Sequence, residues 1–183
     1  IYELRERLDE QYIGSNHEIN PDNLDYLEDS LQVVAGEPYA FAAFVDFVRQ
    51  NDLNDPAVFA KVAAQMDVNE FTNYLINRAF IGYPIADLNT RFWRNRDTDG
   101  KWRWVAADLE HAFGQLGGDP VSENTIAKLA GLSGDLPEWA TLLFNRLLQN
   151  PDFRDGFIQR SAAYLNTIYQ PNVTLAAVDS LKT

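Results

Sequence analysis

Four polar residues frame an aromatic-rich stretch in the middle of this 183-residue chain, and their types suit one kind of chemistry. Asp87 and Asn89 stand just before Thr90-Arg-Phe-Trp-Arg94; Asp108 and Glu110 stand just after Lys101-Trp-Arg-Trp-Val-Ala106. Both stretches are β-prone, and Asp99-Gly100 supplies a turn between them. A hairpin brings its two ends together, so three carboxylates and one amide are expected at its open mouth. An all-oxygen set of this kind suits Mg²⁺ or Mn²⁺, hard cations that hold phosphates. The same residues also have ordinary uses: Asp and Asn flank strands as turn formers, and Asp108 could cap a helix.

Neighbouring motifs are weaker. Asn95-Arg-Asp97-Thr-Asp99-Gly100 copies the first half of an EF-hand loop, but position 12 falls on Ala106, so a plain hairpin turn is expected. Arg91, Arg94, Arg96, Lys101 and Arg103 interleave with Phe92, Trp93, Trp102 and Trp104, and are expected to form cross-strand pairs rather than a nucleic-acid surface. His111 beside Glu110 could shuttle a proton, although a single His near a loop is more often structural. Gly114, Gly117 and Gly118 mark a loop without the Lys-Ser/Thr of a phosphate-binding loop.

Composition excludes several classes. With 15 Lys+Arg against 27 Asp+Glu, the net charge is −12, and the overall field repels polyanions and anionic membranes. Zero cysteines remove disulfides, thiol nucleophiles and zinc-thiolate sites. Two histidines, His17 and His111, are too few for a His-rich metal site. No apolar run approaches the roughly 20 residues of a spanning helix. Any chemistry must rest on carboxylates and amides. The chain opens on Ile1, not Met, and is expected to be a piece of a longer protein.

The elements that must position the four residues are mostly helical. Residues 1–23 read as a polar peripheral helix, over Tyr2 to Gln11, and a linker. Leu24, Leu27 and Leu31 suggest a helix to about Ala35, stopped by Gly36. Phe41, Phe44, Val45 and Val48 form an apolar stripe at helical spacing after Pro38. Asp55-Pro56 opens another helix, and Asp67 with Glu70 makes a capping-box pattern before Phe71, Tyr74 and Leu75. Beyond the hairpin, helices resume at Ser122, at Leu136 to Gln149, and after Asn150-Pro151. The fold class expected is mainly α, as α+β, with one central β-hairpin.

Three segments together resemble the CotH kinase family, named for a spore-coat protein: Asn69-Glu-Phe-Thr-Asn-Tyr-Leu75 with Asn89-Thr-Arg-Phe-Trp-Arg94, Gly100-Lys-Trp-Arg-Trp-Val-Ala-Ala-Asp108-Leu-Glu-His-Ala-Phe-Gly114, and Leu147-Leu-Gln-Asn-Pro-Asp-Phe-Arg154. The resemblance runs from about Gly36 to Tyr169. It implies a kinase-like fold, of which residues 24–183 would be the helical C-terminal lobe, and transfer of phosphate from ATP to protein Ser with Mg²⁺ or Mn²⁺. On that mapping Asn89 and Asp108 hold metal and cofactor, and Glu110, where the family usually has Asp, supports them.

The sequence departs from the family at the catalytic base. Counting back five residues from Asn89 gives Pro84, which cannot take a proton, so Asp87 is the substitute. The upstream strand-rich lobe with its phosphate-binding Lys is expected to be absent, since Lys61 is the only lysine before Asn89 and sits on a predicted helix. Isolated, the chain is expected to be inactive. The alternative is a non-catalytic module of an exported multidomain protein that presents a protein- or glycan-binding surface. The resemblance implies an extracellular, spore-surface or cell-surface location.

Overall fold

A computed structural model describes residues 7–82, 90–109, 112–115, 119, 121–134 and 136–181. Among them are eight α-helices and one antiparallel sheet. Helix α1 (Glu10–His17) leads through a short 3₁₀ turn to β1 (Leu24–Glu28) and β2 (Gln32–Ala35). Helices α2 (Tyr39–Gln50), α3 (Pro56–Gln65) and α4 (Val68–Phe80) follow, then β3 (Thr90–Asn95) and β4 (Arg103–Ala106). The chain closes with α5 (Thr125–Leu129), α6 (Glu138–Leu147), α7 (Pro151–Leu165) and α8 (Pro171–Ser180). The class is α+β, as the sequence suggests, but the sheet is larger than one hairpin.

The sheet order is β2-β1-β3-β4, so β1 and β3 are its central pair. This corrects the helix expected over 24–35. Leucines at 24, 27 and 31 imitate a helical stripe, yet β1 is covered on both faces, and a strand buried on both sides loses its alternation. Leu24 and Tyr26 pack with Trp93 and with Ile13 of α1 on one face. Leu27, Phe92, Trp102 and Trp104 join the main core formed by α2 to α7 on the other. Helix α1 is therefore not peripheral: it is the cover of the sheet's second face, and His17 lies 4.7 Å ring to ring from Trp93. Of the helix expected over Tyr2 to Gln11, residues 2–6 lie outside the described residues and 7–9 are not helical, while α1 runs through Gly14-Ser15-Asn16, which read as a turn.

A buried charge cluster fixes how β1 meets α2. Asp25 accepts from Arg94 Nε at 2.7 Å, from Arg96 Nη1 at 2.8 Å and from the Glu37 amide at 2.9 Å. Gly36 turns the chain beside it with φ +70°, and an added Cβ would lie 2.4 Å from Asp25 Oδ1 and 2.3 Å from the Leu24 carbonyl oxygen. Only glycine fits both the backbone conformation and the space.

The remaining helices follow their sequence signals closely. Asp55, Asp67 and Asn150 each accept an amide hydrogen in the first turn of α3, α4 and α7. Phe41 packs against Phe92 and Trp102 at centroid distances of 4.1 and 4.9 Å, and Phe71 against Trp104 at 4.3 Å. Along α4, Asn69, Asn73 and Asn77 recur every fourth residue and bind α7 and its exit: Arg160 reaches Asn69 and Asn73, Tyr164 donates to Asn73, and Tyr169 donates to Asn77. Helix α8, unanticipated in the sequence, carries no buried side chain.

Candidate functional site

The hairpin is where the sequence puts it. Strands β3 and β4 pair Thr90 with Ala106, Arg91 with Val105, Phe92 with Trp104 and Trp93 with Arg103. Thr90 and Ala106 are the last pair at the open end. The described chain after Ala106 leaves the sheet at this end. Of the four candidate residues, Asp108 is described; Asp87, Asn89 and Glu110 lie outside the described residues, as do Pro84 and His111.

Asp108 follows the buried Ala107, is exposed, and holds a left-handed backbone with φ +54°. Non-glycine residues in that region carry local strain, and such strain gathers at functional sites. Asp29, in the β1–β2 turn, and Phe113, just beyond Asp108, share the conformation with φ +51° and +56°. The Asp29 amide donates to the Thr90 carbonyl oxygen at 2.7 Å, so Asp29 is carried at the same end of the sheet as the hairpin mouth. The Phe113 amide donates to the Ile81 carbonyl oxygen at 2.8 Å, tying the segment after Asp108 to the C-terminal end of α4.

Two residues here are absent from the sequence-derived candidates. Asp29 falls within the stretch whose leucine spacing imitates a helix, and lies in the β1–β2 turn. Arg78 looks like a surface residue of α4 but is buried, donating to the Tyr74 hydroxyl and lying 5.4 Å from its ring centroid. Asp29, Arg78 and Thr90 line one small cavity, of about 40 Å³, with Tyr74 and Trp104. A buried guanidinium and a carboxylate thus line the same cavity next to the mouth. The available signal was Arg78 interrupting the apolar face of α4.

The outer edge of β4 is held by the start of α4. The Trp102 amide donates to Gln65, the Asp67 amide to Trp102, and the Trp104 amide to Glu70 Oε2 at 2.9 Å. This corrects the capping box: Asp67 caps the Glu70 amide as expected, but the Glu70 side chain goes to the strand. Burial pushes the Glu70 carboxyl up to about 7, against the opposing pull of the Trp104 amide. Nearby, the Arg103 guanidinium holds Asp99 down to about 2.

The EF-hand resemblance resolves as a turn. Asn95 accepts from the Asp97 amide, Asp97 from the Asn23 side chain, and Asp99 from Arg103. The hairpin arginines are internally engaged, Arg91 with Glu28, Arg94 and Arg96 with Asp25, and Arg103 with Asp99. Among the described residues, no group of three or more His, Cys, Asp or Glu could hold a metal. Asp108, an exposed carboxylate on a constrained backbone, has the donor chemistry for one ligand of a hard cation. Among the same residues, no helix is long and apolar enough to cross a membrane.

Comparison with known proteins supplies the identity. No curated protein and no solved structure matches the chain significantly. A family model described as CotH kinase protein matches residues 1–183, so the likeness first seen between about Gly36 and Tyr169 extends over the whole sequence, α1 and the β1–β2 hairpin included. With the full chain matched, this protein belongs to the CotH kinase family.

Proposed function

We propose that this chain forms the metal- and substrate-binding part of a CotH-type protein kinase that transfers the γ-phosphoryl group of ATP to a protein serine. The observation that carries the reading is Asp108: an exposed carboxylate in left-handed backbone, at the open end of the β3–β4 hairpin, where the family resemblance assigns a metal aspartate. Asp108 and Asn89 would hold Mg²⁺ or Mn²⁺, with Glu110 beside them. When bound, the cation neutralises charge on the phosphates. Asp87 takes the proton of the serine hydroxyl as the oxygen–phosphorus bond forms and the bond to the β-phosphate oxygen breaks. Arg78 and Asp29 line a small cavity with Thr90, the β3 residue at this end. A surface location, on a spore coat or cell exterior, accords with the family.

Pro84 supports a second reading, a non-catalytic relative that keeps the fold as a protein- or glycan-binding module. One experiment separates the two. The natural full-length protein is incubated with labelled ATP and Mn²⁺, and label transfer to itself or to a seryl protein is measured. Metal-dependent transfer that is lost in Asp108→Ala supports the kinase. ATP binding by calorimetry that is indifferent to Asp108→Ala removes the site assignment, and absence of any transfer leaves the binding module.

A further inference from the structure

A cavity of about 460 Å³ opens between α4, α7 and residues 121–126. Ile76, Phe80, Ile126, Phe157, Leu165 and Tyr169 form its apolar walls. The Tyr169 ring stacks on Phe80 with centroids 3.8 Å apart and planes 7° off parallel, and its hydroxyl is tethered to Asn77. The asparagine ladder along α4 thus holds this side of the cavity in shape. The volume falls within the range of true ligand pockets.

The lining also says what kind of ligand enters. Its polar members Ser122, Asn124, Thr125 and Ser161 are neutral, and its one ionic side chain, Glu123, is an acid paired with Lys128 at 3.0 Å. No cation lines the cavity, among the described residues, to meet a phosphate. A nucleotide is therefore a poor occupant, whereas an uncharged apolar side chain with its adjoining peptide groups is a good one. The cavity wall also touches the segment that follows Asp108. Phe80 meets Phe113 edge-on at 6.3 Å, and Phe113 belongs to the segment that Asp108 opens. Phe113 is 65% exposed, and of the cavity lining Val121 is 93% and Leu165 60% exposed, so apolar surface faces solvent both at the rim and on the residue that meets Phe80. Apolar surface exposed around a cavity of this size marks an interaction site.

We propose that this cavity is the docking pocket for the protein acceptor: it takes a large apolar side chain, aliphatic or aromatic, from the polypeptide whose serine is presented at Asp108. The proposal rests on the kinase reading for the identity of its partner. The pocket then selects acceptors by an apolar residue at a set distance from the serine, while the charges at the mouth handle the phosphates.

The test uses the full-length protein and dye-labelled short peptides with one Ser and one Phe, the spacing between them varied, each against its Phe→Ala control. Anisotropy is expected to show one spacing that binds about tenfold tighter than its control, a difference of about 1.4 kcal/mol. Ser161→Trp, which fills the cavity, is expected to abolish that preference while leaving Mn²⁺–ATP affinity unchanged. A benzoylphenylalanine version of the peptide is expected to crosslink to α7 or to residues 121–126, and this readout decides if the tryptophan variant does not fold. Equal binding of Phe and Ala peptides at every spacing, or crosslinks only elsewhere, overturns the pocket. Failure of ATP binding with the Phe preference intact overturns the kinase reading instead.

Discussion

Glu70, in the first turn of α4, accepts the backbone amide hydrogen of Trp104 in β4 at 2.9 Å, so a helix side chain completes the outer edge of the sheet. An exposed edge strand invites pairing with other chains, and here a buried carboxylate occupies one of its donors. The same strand runs on to Asp108, which makes this contact part of what supports the hairpin mouth.

Burial raises the Glu70 carboxyl from its ordinary 4.5 to about 7. The folded state then binds its proton more tightly than the unfolded state, so this group's stabilising contribution is complete below pH 4.5 and is lost as pH rises through 7. Asp67 on α4 adds to the shift and Arg103 on β4 opposes it. Glu70→Gln keeps an acceptor for Trp104 and removes the titration. Unfolding free energy measured against pH should fall by about 1–3 kcal/mol across that window in the native protein, and this component should vanish in Glu70→Gln. Identical slopes for the two proteins would refute the assignment.

Gly36→Ala should be severe. Its Cβ would meet the Asp25 carboxylate and the Leu24 carbonyl oxygen, and its backbone would sit in the left-handed region. A loss of about 3 kcal/mol or more in urea unfolding is expected, because a rigid clash adds to the conformational cost. A loss below about 1 kcal/mol would mean that the turn can be rebuilt.

Asp25→Ala tests the same junction from the charge side. Removing the shared acceptor leaves Arg94 and Arg96 without their carboxylate in a partly buried setting. The expected cost is about 3–5 kcal/mol, the range for breaking a buried ion pair by deleting one partner. Chemical denaturation decides it.

The asparagine ladder predicts a milder effect. Asn73→Ala removes the acceptor for Tyr164, at 2.8 Å, and for Arg160, at 3.3 Å, while Arg160 keeps Asn69. A loss of about 1–3 kcal/mol in unfolding free energy is expected, from hydrogen-bonding groups left partly unsatisfied. No change in stability would show that the Asn73 hydrogen bonds do not help hold α7 to α4.

Asp108→Asn separates chemistry from fold. Asparagine tolerates left-handed backbone about as well as aspartate, so the melting temperature should stay within the small range of a surface change. Mn²⁺–ATP affinity of the full-length protein should nevertheless fall by about tenfold or more, since one anionic ligand is lost. Calorimetry showing unchanged affinity would place the metal elsewhere.

The helices α2, α3, α4, α6 and α7 and the β3–β4 hairpin could be read from residues alone, because stripes, caps and turn residues act within a few positions. Asp55, Asp67 and Asn150 are helix caps by local chemistry, and Asp99-Gly100 is a turn by the same logic. The family resemblance was also a matter of residue order. What the tertiary structure decided is where distant segments meet. β1 became a central strand because α1 covers one face of it and α2 to α7 the other; Leu24, Leu27 and Leu31 cannot reveal that, since burial on both sides erases the period. Glu70 left its own helix start for Trp104, and Arg78 turned inward to the cavity that Asp29 also lines. Each depends on contacts between residues far apart in the chain, whose energies exceed the local preferences that a sequence displays.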